Sequence, residues 1–325
     1  MSGATMVDIQ HLTKEYAGFK ALDDLSLRIE AGDTFGFIGP NGAGKTTTIK
    51  ILATLLEPTS GEARVAGLSV LDDPEGVRER LGYMPDAFGV YDGMRVHEYL
   101  EFFAAAYRSP RRERSRLVND VLELTEMTPR RHDFVEALSV GLRQRLCLAK
   151  TLIHDPAVLV LDEPASGLDP RARIEFRELM KALSGMGKTI IVSSHILPEL
   201  ADFCNKIGII EAGRLLEFGT VDEVLARVQS GASRRINVRF TGDLGTVRAL
   251  LEKTPGVEAI RDSNHGSALQ LDFGGSLEAM SELLERLATA RVGLLGFWEE
   301  QTDLEDVFMK ITHGGVGSGA GETSV

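Results

Sequence analysis

The sequence predicts an α/β fold built on a mostly parallel sheet, followed by a smaller α+β unit. Three observations carry that prediction. Phe35–Thr47 runs from apolar residues through a glycine-rich turn into a helix start. Ala157–Leu161 is a continuous apolar run without alternation, and Lys188–Val192 reads as a second buried strand, as in a parallel sheet covered on both faces. Residues 235–298 then read strand, helix, strand, strand, helix, strand, a ferredoxin-like order.

Length and composition agree with this division. A chain of 325 residues holds one large domain and a small one, and 43% hydrophobic with 26% charged residues describes a protein with a sizeable core. The net charge of −12 argues against a general nucleic-acid binder, so no nucleic-acid partner is expected. Cys147 and Cys204 form no C-x-x-C pair, which points to a reducing compartment. The seven histidines show no ligand spacing for zinc. No signal-peptide pattern opens the sequence, and no apolar run approaches the ~20 residues that cross a bilayer. Any membrane crossing is therefore expected of another chain.

Taken in order, residues 7–38 read as short strands separated by turns, with Leu25–Ile29 alternating and Tyr16 in the first connection. Helices are expected over Lys45–Thr54 and Pro74–Leu81, with a strand at Ala63–Val65 between them and Leu81–Met84 leading on to Asp86. From about 86 to 155 the periodicity is helical, with segments at Val96–Tyr107, Arg114–Leu124 and Leu138–Ile153. This is a helical insertion between two strands of the core. Its cluster Arg108, Arg111, Arg112, Arg114 and Arg116 reads as a solvated helix end or as a contact with acidic lipid or a partner. A helix over Arg171–Leu183 separates the two buried strands. The first domain is expected to end near 228, with Gln229–Ser233 as linker. An accessory unit follows over 229–312, closed by a helix at Thr302–Thr312, and residues 313–325 form a disordered tail.

The chemistry starts at Gly39-Pro40-Asn41-Gly42-Ala43-Gly44-Lys45-Thr46-Thr47, which contains G-x-x-x-x-G-K-[ST]. Successive amides of such a loop and the following helix start form a concave anion site that larger side chains would block. Lys45 brings a point charge to the β- and γ-phosphates, and the Thr46 hydroxyl can ligate Mg²⁺. Asp162-Glu163, at the end of the apolar run 157–161, is the expected partner of this P-loop. The first carboxylate holds the Mg²⁺ shell, and the second is placed to polarise a water. His195 follows the next strand. Ligands of such sheets bind at the carboxyl ends of the strands, where Gly39, Asp162 and His195 all fall.

Leu138-Ser139-Val140-Gly141-Leu142-Arg143-Gln144 lies upstream of these carboxylates, and Ser166-Gly167-Leu168-Asp169 lies downstream. With Tyr16, the P-loop and His195, this ordered set resembles an ABC-transporter ATP-binding subunit over residues 6–225. The closing Leu304-Glu305-Asp306-Val307-Phe308 resembles the C-terminal extension of ABC-2-type exporter ATPases. The resemblance implies Mg-ATP as ligand and ATP hydrolysis as activity. It implies an adenine-stacking role for Tyr16, a general base at Glu163 and a γ-phosphate contact at His195. Ser139 and Gly141 would close on the nucleotide of a second ATPase subunit, most simply a second copy. A separately encoded ABC-2-type permease and a cytoplasmic position on the inner face of the membrane are also implied. The alternative is a soluble ABC-type ATPase that acts without a permease. It is disfavoured by the single P-loop, the acidic charge and the lack of a heptad run.

Three residues depart from the family pattern. Asp86 stands where Gln is usual; it can still ligate a hard cation through oxygen. Val140 replaces a favoured glycine and would be strained only if that backbone needed φ > 0. Leu142 replaces a usual Gln and removes a polar contact. Finally, Ala87–Met94 joins flexible glycines to Phe88, Val90, Tyr91 and Met94, and a permease groove is expected at Phe88–Val96.

Overall fold

The structure, a computed structural model, describes residues 3–87, 89, 93–224, 234–262 and 268–299. The linker 229–233, the closing helix 302–312, the tail 313–325 and Phe88, Val90 and Tyr91 of the expected groove lie outside the described residues. By its contacts the chain divides into two compact units, 1–221 and 222–325.

The first unit is organised around a six-stranded sheet. In chain order its strands are β3 (Thr34–Ile38), β6 (Leu81–Met84), β7 (Val158–Leu161), β8 (Thr189–Ser194), β9 (Lys206–Glu211) and β10 (Arg214–Thr220). Their spatial order is β10-β9-β3-β8-β7-β6. All neighbours run parallel except β9 and β10. β3, β7 and β8 are buried at every position, which accounts for the apolar runs Phe35–Ile38, Val158–Leu161 and Ile190–Val192 within them.

A second, antiparallel sheet holds β1 (Thr5–Tyr16), β2 (Phe19–Glu30), β4 (Ser60–Val65) and β5 (Leu68–Ser69) in the order β2-β1-β4-β5. The N-terminal strands are longer than expected, at 12 residues each for β1 and β2. They meet at a two-residue turn, Ala17-Gly18, with φ of 39° and 90°, as hairpins with primed turns require. Tyr16 is thus the last residue of β1, paired with Phe19, and not part of a loop. Leu25, Leu27 and Ile29 of β2 turn inward onto the same core as Phe35, Ile49 and Val160.

Helices α1 (Lys45–Leu52) and α2 (Pro74–Arg80) connect the two sheets, with Asp73 capping α2 through the Gly76 amide at 3.0 Å. Between β6 and β7 come α3 (Val96–Ala106), α4 (Arg111–Leu124) and α5 (Val140–Leu152). On α3, Tyr99 is buried and Phe102 is exposed, so the aromatic residues do not form a single outward face. α4 starts earlier than expected, right after Pro110, so Arg111, Arg112, Arg114 and Arg116 all lie within its first two turns. α6 (Pro170–Gly185) and α7 (Leu197–Ala201) complete the unit.

The sequence reading assigned no element between His195 and Arg227, where α7, β9 and β10 stand. β9 escapes notice because Gly208 interrupts its short apolar run. That glycine answers to packing: a Cβ there would lie 2.6 Å from the Phe35 ring.

The second unit is β11 (Arg234–Phe240), α8 (Leu244–Glu252), β12 (Val257–Asp262), β13 (Ala268–Phe273), α9 (Leu277–Thr289) and β14 (Leu294–Glu299). The order β12-β13-β11-β14 is the ferredoxin-like arrangement read from the sequence. Ile236, Val238, Phe240, Leu269 and Leu271 pack against Val247, Leu251, Leu283 and Leu287 of the helices, giving this unit its own core.

Candidate nucleotide and carboxylate site

β3 fixes the approach to the glycine loop. A side chain at Gly39 would run into the Ile210 carbonyl oxygen of β9, so only hydrogen fits there. Gly44 has φ 111°, and a Cβ would lie 2.7 Å from the Ala21 carbonyl oxygen. Gly42, at φ 81°, has open space around it, so its glycine answers to backbone conformation alone. Gly44 is the N-cap of α1 and no side chain caps that helix. Its first amides are thus left for a ligand, with the positive end of the helix dipole behind them.

Lys45 is 5% exposed and turned back onto its own loop. Its Nζ donates to the carbonyls of Gly39 at 2.6 Å and Pro40 at 3.3 Å. It also stands 3.4 Å from Glu163 Oε1. That carboxylate oxygen is buried without an aligned hydrogen bond, so the lysine contact is ionic only. Asn41 and Thr46 are exposed, Pro40 and Thr47 half-buried, and Ala43 is buried and accepts from the Gly213 amide at 2.9 Å.

Asp162 and Glu163 extend from β7. Asp162 is 2% exposed, and its amide donates to the Met84 carbonyl at 2.9 Å. Glu163 has left the strand conformation, with φ 46°. Its Oε2 lies 2.9 Å from Nδ1 of His195. Asp86 stands exposed just past β6, and its carboxyl is pushed up from the ordinary range, first by desolvation and then by the charges of Asp162 and Glu163. The Tyr83 hydroxyl is pushed up to about 12 by burial and then by Asp162. The three acids therefore share one negative field.

That donor set suits magnesium held with a nucleotide. Among the described residues no three acid, histidine or cysteine side chains gather closely enough to hold a metal unaided. Magnesium takes one or two carboxylates and fills its remaining positions with phosphate oxygens and waters. Asp162, Thr46 and Asp86 offer hard oxygen donors of this kind.

Ser139 and Gly141 lie elsewhere. They line a shallow hollow with Gly167, Leu168 and Asp169, and no P-loop residue lines it. Ser139 is the N-cap of α5, accepting from the Leu142 amide at 3.4 Å. Val140 is the first helical residue of α5 and is not among the positive-φ positions, so its side chain brings no backbone strain. Tyr16 is 45% exposed, with Lys14 Nζ 5.2 Å from its ring centroid.

One site residue escaped the sequence reading. Ser193, fully buried on β8, donates to Asp162 Oδ1 at 2.7 Å and accepts from the Glu163 amide at 2.9 Å. Its signal was its place two residues before His195, since such residues share one face of a strand.

A P-loop with paired carboxylates at the carboxyl ends of a parallel sheet defines a nucleoside-triphosphate site. Comparison with known proteins says which. The family model described as "ABC transporter" matches residues 22–166, and one described as an AAA domain matches residues 133–202. The "Daunorubicin resistance ATP-binding protein DrrA3" of Streptomyces coeruleorubidus is 34% identical over 310 residues, covering 95% of this chain and 96% of that protein. The "Probable multidrug ABC transporter ATP-binding protein YbhF" of Escherichia coli is 36% identical over 225 residues, covering 69% of this chain; the chain spans only 39% of that protein's length. A solved structure, the "Dimeric structure of a post-hydrolysis state of the ATP-binding cassette MJ0796 bound to ADP and Pi", superposes with a TM-score of 0.61 at 26% identity, over 66% of this chain and 99% of that one. The chain belongs to the ABC transporter ATP-binding proteins and carries their ATPase cassette.

Proposed function

We propose that this chain binds Mg-ATP, pairs head to tail with a second copy around two nucleotides, and powers export through a separately encoded ABC-2-type permease. One observation carries the reading: Glu163 is held between the P-loop lysine and His195, so phosphate-binding charge and base sit in one cluster.

In this reading Lys45 leaves the carbonyls of Gly39 and Pro40 for the β- and γ-phosphates, which releases Glu163 Oε1. Glu163 then takes a proton from the attacking water as oxygen bonds to the γ-phosphorus. The bond from that phosphorus to the β–γ bridging oxygen breaks, and ADP leaves with the electron pair. His195 keeps the Glu163 carboxylate oriented through Oε2. Thr46 and Asp162, with Asp86 beside them, would hold magnesium, which would supply charge neutralisation on the phosphate oxygens. Tyr16 stacks on the adenine. Ser139 and Gly141 meet the nucleotide bound by the second copy, with the dipole of α5 pointing at its γ-phosphate.

The domain division goes with this reading: residues 1–228 form the ATPase domain, with the insertion 86–155, and 229–312 form an accessory domain. Among the described residues no helix is long and apolar enough to cross a membrane, which supports a second chain as the channel. The dimeric ATP-binding cassette supports pairing of two cassettes, and the daunorubicin resistance relative supports a drug-like cargo. The test is to tag the chain in its native cells, solubilise the membranes and identify what co-purifies. A polytopic membrane protein is expected, released neither by salt nor by nuclease. Recovery in the membrane-free fraction with no such partner would replace the reading with a soluble ATPase.

A further inference from the structure

Segments distant in sequence meet at one buried hydroxyl. A serine hydroxyl has one proton and two lone pairs. Ser193 gives its proton to Asp162 Oδ1 at 2.7 Å and takes the Glu163 amide at 2.9 Å. It is fully buried, so no solvent competes for either bond.

β8 stands between β3 and β7 in the sheet, and its end is engaged on both sides. On the β3 side, the Gly39 amide of the P-loop donates to the Ser194 carbonyl at 3.4 Å. On the β7 side, Ser193 holds the Glu163 backbone and His195 lies 2.9 Å from the Glu163 carboxylate. Paired registers between β7 and β8 end at Leu161 and Val192, so Glu163 has no ladder partner for its amide. With φ at 46° it has turned away from the strand, and Ser193 supplies the acceptor that the ladder no longer offers.

We propose that Ser193 is a positioning residue for hydrolysis. Its single hydroxyl ties the Asp162 carboxylate to the Glu163 backbone, and so fixes the base relative to the metal-holding side chain. The inference rests on the reading of Glu163 as base and Asp162 as magnesium ligand. Without the hydroxyl, a buried carboxylate oxygen loses its donor and the amide of a left-handed residue loses its acceptor. Both groups would then settle elsewhere, while the phosphate cradle of the P-loop stays as it is.

The experiment compares Ser193→Ala, Ser193→Thr and Glu163→Gln in the full chain. It measures kcat, thermal unfolding, and binding of a fluorescent ATP analogue with Mg²⁺ and with EDTA. Ser193→Ala should lose roughly ten- to hundredfold in kcat, the size of effect that a small misplacement of a reacting group produces. Its affinity for the analogue in EDTA should stay at the wild-type value, while the gain in affinity on adding Mg²⁺ shrinks. Ser193→Thr, which keeps the hydroxyl, should recover most of the lost kcat. If Ser193→Ala does not fold, Ser193→Cys is measured instead, since it keeps the size and gives up most of the hydrogen-bonding strength. Wild-type kcat and an undiminished Mg²⁺ gain in the variant, beside an inactive Glu163→Gln, overturn the inference alone. Equal losses in the alanine and threonine variants, with matching falls in unfolding temperature, also overturn it, because packing would then be the cause. Glu163→Gln hydrolysing at the wild-type rate overturns the underlying reading instead.

Discussion

Two helix starts in the first unit carry the proposed phosphate contacts, and they differ in what surrounds them. α1 begins after Gly44 with no side-chain cap, a buried lysine and the Glu163 carboxylate 3.4 Å from it. α5 begins after Ser139, whose hydroxyl already accepts from the Leu142 amide, and the first helical side chain, Val140, is 48% exposed. The glycines make the contrast sharper. A Cβ at Gly44 would meet the Ala21 carbonyl at 2.7 Å, whereas a Cβ at Gly141 would find only Ala172 and Leu168 carbons at 3.6 Å, an ordinary contact. The fold of this chain requires Gly44 and does not require Gly141. α1 is thus one side of a site completed by its own sheet. The start of α5 lines a hollow that no P-loop residue shares, as the proposed head-to-tail pair would require.

The largest expected effect tests the completeness of the α1 side. Glu163→Gln keeps shape and loses the proposed base, so hydrolysis should fall by roughly 10²–10⁴-fold. ATP binding should persist, and ATP-bound dimers should accumulate on size exclusion. Hydrolysis near the wild-type rate would mean that the base lies elsewhere. Lys45→Ala acts a step earlier. It removes the charge-assisted phosphate contact and leaves Glu163 without its cation, so affinity for ATP should fall by about tenfold or more. Calorimetry showing unchanged affinity would take Lys45 out of the cradle.

Gly141→Ala addresses the α5 side. Because the added methyl fits the isolated chain, its unfolding temperature and its ATP affinity as a monomer should match the wild type. Closure onto a second copy should suffer, lowering hydrolysis by about tenfold through a close contact made only in the dimer. A variant that hydrolyses normally would show that α5 meets no nucleotide. Gly44→Ala is the contrasting control, expected to unfold at lower temperature because of its φ of 111° and the Ala21 carbonyl.

The α1 side was legible in the sequence because its chemistry is local: a strand, a loop and a helix start in thirteen consecutive residues, 35–47. Asp162-Glu163 was legible because the buried strand before it has no polar residue to confuse the period. The gaps are long-range. Ser193 meets Asp162 across 31 residues of sequence, and its one local signal is its place two residues before His195. β9 was hidden by Gly208, whose meaning lies in the Phe35 ring of another strand. The sequence puts Tyr16 in a connection because Ala17-Gly18 looks like ordinary punctuation, whereas the two φ values make Ala17-Gly18 the tip of a continuous hairpin. The ferredoxin-like order was readable because β11, β13 and the two helices each send regularly spaced apolar residues to one core.

The smallest expected effect concerns that second unit. Both helix starts and every group placed around them lie before residue 222, and the six-stranded sheet that fixes them ends with β10 at Thr220. The second unit has a core of its own, with Ile236, Val238, Phe240, Leu269, Leu271 and Phe273 fully or almost fully buried. Its sequence contains no P-loop, and no carboxylate constellation occurs among its described residues. A domain with its own core can be removed without opening its neighbour's, provided the cut falls in the connection. A fragment ending near Arg227 should therefore fold and bind ATP with an affinity within about twofold of the full chain, well below the tenfold that 1.4 kcal/mol represents. A change that appears only in hydrolysis or in dimer formation would place the second unit with the α5 side, as support for the pair. A folded fragment that cannot bind ATP would show that the α1 site is not complete in its own sheet, and the contrast between the two helix starts would fail.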